Sequence, residues 1–368
     1  MSDRASPSIG RRRRATATIA SRLTVEGLTR IYGGHRAVDG VDLEVDPGKV
    51  VSLLGHSGCG KTTLLRLAAG VEVPSAGRVL IDGREVASER IFVPPERRQI
   101  GLMFQDYALF PHLTILENVM FGLTALDRAA RKEEALAALR RVGLDRLAGA
   151  YPHEASGGEQ QRAALARAVV PRPGILLMDE PFSGLDSRLR DSVREETLAV
   201  LRETGATAII VTHDPEEAMR MSDRIVLMRA GRVVQTGTAE ELYEAPASLF
   251  AARFFSSLNE VPAEVRGGAV DTPLGRFPAL GLAEGERAVV AIRPHGVRIA
   301  AAAGEASGGR AGRVVARRFL GEVDQIEVAV EGLDSYLTAR GRFGLRFPVG
   351  SEVAVGVEPQ QVKVFPDA

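Results

Sequence analysis

Short apolar runs alternate with helical patterns through the first two thirds of the chain. The run Val50-Val-Ser-Leu-Leu54 has the length of a strand and leads directly into a glycine-rich loop. Residues 62–69 then carry leucines at helical spacing and end at Gly70, which is typical of a helix with a glycine C-cap. Further strands are predicted over 175–179 and 207–211, with a helix between them. This alternation is typical of an α/β domain.

Two stretches depart from this alternation. Residues 106–155 are mostly helical in pattern, which predicts an inserted helical subdomain. From about residue 259, short valine-rich strands broken by glycine follow one another, for example over 312–316 and 325–330, with a connector rich in glycine and alanine over 304–312. This second pattern predicts a small all-β barrel of the OB type.

The length of 368 residues allows two domains with separate cores. We expect a disordered, arginine-rich tail over 1–22, a first domain over 23–258 and a second over 259–368. The tail is either a solvated arm or a weak binder of anionic lipid headgroups. No apolar run approaches the roughly 20 residues that a membrane-spanning helix needs, so we expect no membrane span.

Charge and cysteine content exclude several classes of function. Lysine plus arginine equal aspartate plus glutamate at 47 each, so the net charge gives no indication of a nucleic acid partner. Cys59 is the single cysteine of the sequence, which excludes an intrachain disulfide and favours a reducing compartment.

The glycine-rich loop Gly55-His-Ser-Gly-Cys-Gly-Lys-Thr62 contains the residue types that hold a nucleoside triphosphate. Its glycines let backbone N–H groups surround phosphates, and the helix that follows adds a positive dipole. Lys61 is predicted to reach the β and γ phosphates, and Thr62 to place its hydroxyl on Mg²⁺. The predicted binding residues of this loop are Gly55, His56, Ser57, Gly58, Cys59, Gly60, Lys61, Thr62 and Thr63. We expect His56 to face solvent or pack, and Cys59 to be a buried spacer rather than a redox group.

Two acids follow a second buried strand. In Ile175-Leu-Leu-Met-Asp-Glu180, four apolar residues precede the two carboxylates at the strand tip. Asp179 is predicted to bind Mg²⁺ through its water shell, and Glu180 to polarise the water that attacks the triphosphate. Acids at strand tips are often only solvated ends, but the position after a phosphate loop favours the catalytic interpretation.

The segment Ser156-Gly157-Gly158-Glu159-Gln-Gln-Arg162 resembles the signature sequence of ATP-binding cassette (ABC) ATPases. The resemblance implies a head-to-tail homodimer that holds two ATP molecules, each between one subunit's phosphate loop and the other's signature. It also implies Tyr32 as the adenine-stacking aromatic, Gln105 as a catalytic and metal-binding glutamine, Asp186 in a nucleotide-contacting loop (183–186), and His213 as the switch histidine. The alternatives are a surface aromatic at Tyr32 and a hydrogen-bonded strand-end histidine at His213.

The chain departs from the family pattern at three positions. Family members usually have leucine at Ala155 and glutamine at Glu159, and many of this subgroup have proline at His56. A capping box accepts glutamate or glutamine, so we expect Ser156 and Glu159 to begin a helix. Glu159 nevertheless adds a negative charge near the expected triphosphate.

The C-terminal region favours an importer. Residues 292–294, 312–315 and 319–322 are similar to the transport-associated OB domain of bacterial importers. The resemblance implies separate integral membrane permease subunits, indirectly a periplasmic solute-binding protein, and a location on the cytoplasmic face of the inner membrane. Segments 93–98, 105–114 and 272–276 look most like ferric-ion import ATPases. The alternatives are import of polyamines, sugars or other small solutes, or a regulatory or soluble ATPase without a transport role.

Overall fold

The computed structural model describes residues 19–185, 187–301 and 309–367. It divides into two compact units, Met1–Ala239 and Glu240–Ala368. This division lies earlier than the domain start that the sequence predicts at residue 259. Residues 1–18 of the predicted tail lie outside the described residues. At the other end of that tail, Ser21 donates its backbone N–H to the Gly174 carbonyl, so this part of the predicted tail belongs to the fold.

Two sheets and the helices around them form the first unit. Its strands are β1 (Leu23–Tyr32), β2 (His35–Val45), β3 (Val50–Leu54), β4 (Ala76–Ile81), β5 (Arg84–Ala87), β6 (Ile100–Met103), β7 (Ile175–Asp179), β8 (Thr207–Thr212), β9 (Arg224–Arg229) and β10 (Arg232–Gly237). Its helices are α1 (Lys61–Ala69), α2 (Ile115–Met120), α3 (Arg128–Arg141), α4 (Gly157–Val169), α5 (Ser187–Thr204) and α6 (Pro215–Met221). The predicted α/β class is confirmed.

The larger sheet has the strand order β10-β9-β3-β8-β7-β6. Strands β3, β8, β7 and β6 pair in parallel with one another, and β9 is parallel to β3. Nearly every side chain of β3, β7 and β8 is buried, because both faces of the sheet are covered. The residues that follow parallel strands meet at one edge, so the phosphate loop, Glu180 and His213 lie at the same edge.

The smaller sheet, β2-β1-β4-β5, is antiparallel. It contributes Leu23, Val25, Val38 and Val79 to the core cluster that also holds Leu64 of α1. The phosphate-loop helix is therefore packed against both sheets of this unit.

The described residues 106–155 hold α2, α3 and two 3₁₀ turns but no strand, as the sequence predicts. Ile115, Val119, Leu139 and Leu144 form their apolar core. Helix α4 packs against α2, α3, α5 and β6, so it connects this helical region with the large sheet.

The second unit contains two short helices followed by strands. The helices are α7 (Ala239–Glu244) and α8 (Leu249–Phe255). The strands are β11 (Asn259–Arg266), β12 (Ala269–Thr272), β13 (Gly275–Pro278), β14 (Arg287–Ile292), β15 (Val297–Ala301), β16 (Arg310–Phe319), β17 (Asp324–Val330), β18 (Leu337–Gly341), β19 (Glu352–Val357) and β20 (Val362–Pro366). They form two antiparallel five-stranded sheets, β13-β12-β11-β14-β20 and β15-β19-β16-β17-β18.

Strand β17 shows how alternating buried and exposed side chains build the core of the second unit. Along β17, Asp324, Ile326, Val328 and Val330 are buried, and the residues between them are partly exposed. The predicted connector over 304–312 is wrong at its end, because β16 begins at Arg310 and pairs with β17. A valine-rich strand that contains glycine is easily mistaken for a linker.

No helix in the described ranges is both long and apolar enough to cross a membrane.

Candidate functional site

Glycine is required at two positions of the loop between β3 and α1. Gly60 has φ of 104°, and a Cβ there would lie 2.1 Å from the carbonyl oxygen of Ala37. A Cβ at Gly55 would lie 2.5 Å from the carbonyl oxygen of Met228. The loop backbone therefore packs directly on neighbouring strands, and glycine-rich backbone of this kind can bring N–H groups close to phosphates.

Lys61 is buried inside this loop. Its Nζ donates hydrogen bonds to the carbonyl oxygens of Gly55 at 2.7 Å and His56 at 3.0 Å. Within the described structure, no side chain caps the start of α1, and the first turn of the helix has no acid. A buried ammonium group beside an uncapped helix N-terminus fits the phosphates of a nucleotide.

Thr62 and Asp179 bring two oxygen atoms together. The Thr62 hydroxyl donates a hydrogen bond of 2.9 Å to Oδ1 of Asp179, which joins α1 to the end of β7. Burial raises the pKa of the Asp179 carboxyl, although the bond from Thr62 acts in the opposite direction. A hydroxyl and a carboxylate are hard oxygen ligands of the kind that Mg²⁺ binds, so the pair fits this ion.

Glu180 and His213 face each other across neighbouring strands. Oε2 of Glu180 lies 3.3 Å from Nδ1 of His213, and the side-chain exposure is 17% for Glu180 and 55% for His213. Glu180 has φ of 43°, a left-handed conformation that is uncommon for glutamate. Its backbone N–H donates to the Val211 carbonyl at 3.0 Å. Strained backbone of this kind is typical of functional sites.

A cavity of about 60 Å³ adjoins this pair and is also lined by Ser183 and Asp214. Its volume is sufficient for water. The Glu180 carboxylate at its wall can accept a proton from such a water molecule.

The signature segment begins α4 as the sequence predicts. Oε2 of Glu159 accepts hydrogen bonds from the backbone N–H of Ser156 at 2.8 Å and from its hydroxyl at 2.6 Å. The bonds from the Ser156 hydroxyl and backbone lower the pKa of Glu159. Ser156 and Gly157 are exposed, whereas Gly158 is buried. This end of α4 thus presents an ordered, solvent-facing surface.

The remaining predicted residues lie as follows. Tyr32 ends β1 and is 40% exposed, with the Arg30 guanidinium 4.6 Å from its ring centre. Gln105 is exposed in the turn after β6. His56 is exposed and Cys59 is buried, as the sequence predicts. Other predicted loop residues take intermediate or exposed positions, namely Ser57, Gly58 and Thr63. Asp186 lies outside the described residues.

Sequence reasoning missed a buried ionic cluster behind His213. Nη2 of Arg194 lies 3.1 Å from carboxylate oxygens of both Asp214 and Glu217. Asp214 caps α6 by accepting hydrogen bonds from the backbone N–H groups of Glu216 and Glu217. The Glu217 side chain binds Arg194. Burial raises the pKa of Glu217. An arginine within α5 gives no sequence signal that it pairs with these acids.

Comparison with known proteins adds independent findings. Residues 38–183 match the family described as ABC transporter, and residues 290–365 match the TOBE domain. The chain is 41% identical to an Fe(3+) ions import ATP-binding protein of Rhizobium etli, over 93% of this chain and 97% of the relative. It is 42% identical to a sulfate/thiosulfate import ATP-binding protein of Chromobacterium violaceum, over 86% of each chain.

A solved structure is also similar: the dimeric, post-hydrolysis state of an ATP-binding cassette bound to ADP and Pi. Its TM-score is 0.54 at 32% identity, and the match covers 59% of this chain and 98% of that chain. The match covers nearly all of that cassette, and the TOBE match over 290–365 includes strands β15 to β19 of this chain. The chain therefore belongs to the ABC transporter family, as the ATP-hydrolysing, TOBE-containing subunit of an importer.

Proposed function

We propose that this importer ATPase uses ATP with Mg²⁺ to drive ferric iron uptake through separate permease subunits at the cytoplasmic face of the inner membrane. The choice of ferric iron as the solute is supported by the similarity to the Rhizobium etli iron importer subunit. That similarity covers 97% of the relative, including its C-terminal part. The sulfate/thiosulfate relative makes another small solute the alternative. The polyamine alternative comes from the sequence of the segment 105–114. A periplasmic solute-binding protein would deliver the solute.

The phosphate loop performs the binding step. Backbone N–H groups of residues 55–63 surround the phosphates, and Lys61 contributes the buried positive charge. Thr62 and Asp179 would hold Mg²⁺, with Gln105 from the turn after β6. When bound, Mg²⁺ supplies positive charge that stabilises the phosphate oxygens as the bond breaks.

Glu180 is the general base of this proposal. Its carboxylate takes a proton from the water that attacks the γ-phosphorus, and the bond to the ADP oxygen breaks. His213 holds Glu180 through the 3.3 Å contact. The Arg194 cluster in turn holds Asp214, the neighbour of His213.

Homodimerisation completes the site. The exposed start of α4, with Ser156, Gly157, Gly158 and Glu159, would contact the nucleotide on the second copy. A helix N-terminus favours a phosphate there. Tyr32 would stack on the adenine, because its ring is half-exposed at the strand end. The similarity to a dimeric cassette bound to ADP and Pi supports this arrangement.

Iron-starved cells that lack this chain provide the test. They are complemented with the parent or with Glu180→Gln, and uptake of radiolabelled ferric iron, putrescine and sulfate is measured in parallel. Iron uptake restored by the parent alone supports the proposal. If the parent instead restores uptake of putrescine or sulfate, that solute replaces iron in the proposal, and the assignment as an importer ATPase stands.

A further inference from the structure

The segment after Gln105 has an uncommon backbone. Tyr107 and Ala108 are consecutive non-glycine residues with φ of 61° and 42°. Side chains disfavour this left-handed conformation, so two successive examples persist only where surrounding groups hold them.

Arg167 of α4 supplies those groups. Its Nη1 donates to the Ala108 carbonyl at 2.6 Å, and its Nη2 donates to the Tyr107 carbonyl at 2.8 Å. The guanidinium also lies 5.7 Å from the ring centre of Phe110. The planar fork of arginine fixes both carbonyls in one orientation, which a lysine ammonium cannot do. Burial lowers the pKa of Arg167, and the nearby Asp106 carboxylate opposes that effect.

The same segment reaches the loop beyond Glu180. A Cβ on Gly184 would lie 3.3 Å from the Tyr107 hydroxyl, so the ring packs closely against this loop. Burial raises the pKa of Tyr107, consistent with a side chain enclosed by neighbours. Residues 107–108 therefore lie between the loop near the proposed base and helix α4, whose N-cap is Ser156.

We propose that Arg167 is a positioning residue that couples residues 105–110 to the signature end of α4. A helix transmits displacement along its axis, and two hydrogen bonds to consecutive carbonyls prevent the attached segment from rotating. Contact of Ser156 with nucleotide then changes the position of residues 105–110, and displacement of those residues changes the position of Ser156. The inference rests on the proposed nucleotide contact at the signature.

Hydrogen exchange of the full chain tests the coupling. Amide exchange of residues 105–110 is measured with and without the Mg²⁺ complex of adenylyl imidodiphosphate, and its dissociation constant is measured separately. In the parent chain the nucleotide slows exchange of this segment. In Arg167→Gln we expect this slowing to be lost, so that the exchange rate with nucleotide bound is roughly threefold to thirtyfold higher than in the parent. The nucleotide affinity should stay nearly unchanged. A purely structural arginine would lower the midpoint of thermal unfolding without removing the nucleotide response.

Two variants make the outcome specific. Arg172→Gln removes an ion pair with Glu134 near the C-terminal end of α4, so it should keep the nucleotide response. Arg167→Lys keeps the charge and should give an intermediate response; it also replaces Arg167→Gln if the latter fails to fold. Full nucleotide-dependent slowing in both Arg167 variants, or none in a parent chain that binds nucleotide, overturns the coupling. A parent chain that does not bind nucleotide refutes the proposed function itself.

Discussion

His213 Nδ1 lies 3.3 Å from Glu180 Oε2, although the two residues follow different strands. The contact is a consequence of sheet register. Asp179 at the end of β7 pairs with Val211 of β8. Glu180 directly follows Asp179, and His213 is the second residue after Val211, so the two side chains emerge side by side. The position of the pair is therefore set by the pairing of two buried strands.

Glu180→Gln should abolish turnover and keep nucleotide binding. Glutamine has the shape of glutamate and can still contact His213, but it cannot accept the proton from water. Loss of a general base costs about 10²- to 10⁴-fold in rate. The measurements are the steady-state rate of phosphate release and the dissociation constant for ATP.

Lys61→Ala is the contrasting variant. It removes the buried ammonium from the loop, so ATP affinity itself should fall. If Glu180→Gln hydrolysed ATP at the parent rate, another residue would have to be the base.

Asp179→Asn should stabilise the nucleotide-free chain while it abolishes hydrolysis. Because burial raises the Asp179 pKa, ionisation of this carboxyl opposes folding at neutral pH. Asparagine can still accept the Thr62 hydrogen bond without that charge. We expect a gain of roughly 1 kcal/mol in the free energy of unfolding, since functional sites often trade stability for activity. Urea unfolding at several pH values measures it.

The sign of the pH dependence follows from the raised pKa. Between the ordinary Asp value of 3.8 and the raised folded pKa, the folded chain binds more protons than the unfolded chain. The destabilisation by Asp179 is therefore fully present above the folded pKa and vanishes below the unfolded one. The advantage of the asparagine variant should shrink as pH falls, whereas Asp46→Asn at an exposed carboxylate should change stability by less than about 0.5 kcal/mol. A pH-independent advantage would contradict this explanation.

The sequence predicted strands, caps and helix starts, because their signals come from residues that are close together in the chain. The strand Val50–Leu54, the Gly70 C-cap and the Ser156 helix start were all predicted, because apolar runs and caps have short-range signals. The predicted ATPase and C-terminal β domain are confirmed by the family matches and relatives. The individual site roles stay predictions.

Long-range pairs were not predictable in the same way. Arg194 and Glu217 meet only because α5 and α6 pack beside each other, and nothing in either helix specifies the partner. The carbonyls that Arg167 binds are equally invisible, since every residue has a carbonyl. The sequence gives residue types at strand ends, whereas the tertiary fold decides which charged side chains become buried together.

Arg194→Met should destabilise the first unit strongly. The arginine side chain is 9% exposed and the Glu217 side chain 6%, so the substitution leaves a buried carboxylate without its partner. Such a loss costs roughly 3 to 5 kcal/mol in the free energy of unfolding. Adding Glu217→Gln should recover part of the loss, because the uncompensated charge is removed. Urea unfolding of both variants measures this.

Arg220→Met is the matched control in a neighbouring ion pair. Its side chain is 57% exposed and contacts Glu216 on the same helix. An exposed pair of this kind contributes at most about 1 kcal/mol. If the two arginine substitutions lowered the free energy of unfolding equally, burial of the Arg194 cluster would not be the cause of the loss.

Glu159→Gln restores the residue that family members usually carry and should increase nucleotide affinity in the assembled dimer. Glu159 is ionised at neutral pH, since bonds from Ser156 lower its pKa, and it lies at the helix end proposed to face a triphosphate. Glutamine can keep the bond from the Ser156 backbone but removes the repulsion. A difference of about 1 kcal/mol from one nearby charge in partly solvated surroundings corresponds to roughly fivefold in KM for ATP.

Salt should distinguish this charge effect from a change in shape. The Debye length falls from about 10 Å at 0.1 M salt to about 3 Å at 1 M, so the KM difference between Glu159→Gln and the parent should nearly vanish at high salt. The same substitution also removes a negative charge from a helix N-terminus, which lowers helix stability by roughly 0.3 to 1 kcal/mol. A variant that is slightly less stable yet binds ATP more tightly at low salt would therefore place Glu159 beside the nucleotide. An unchanged KM at low salt would place this end of α4 away from the triphosphate.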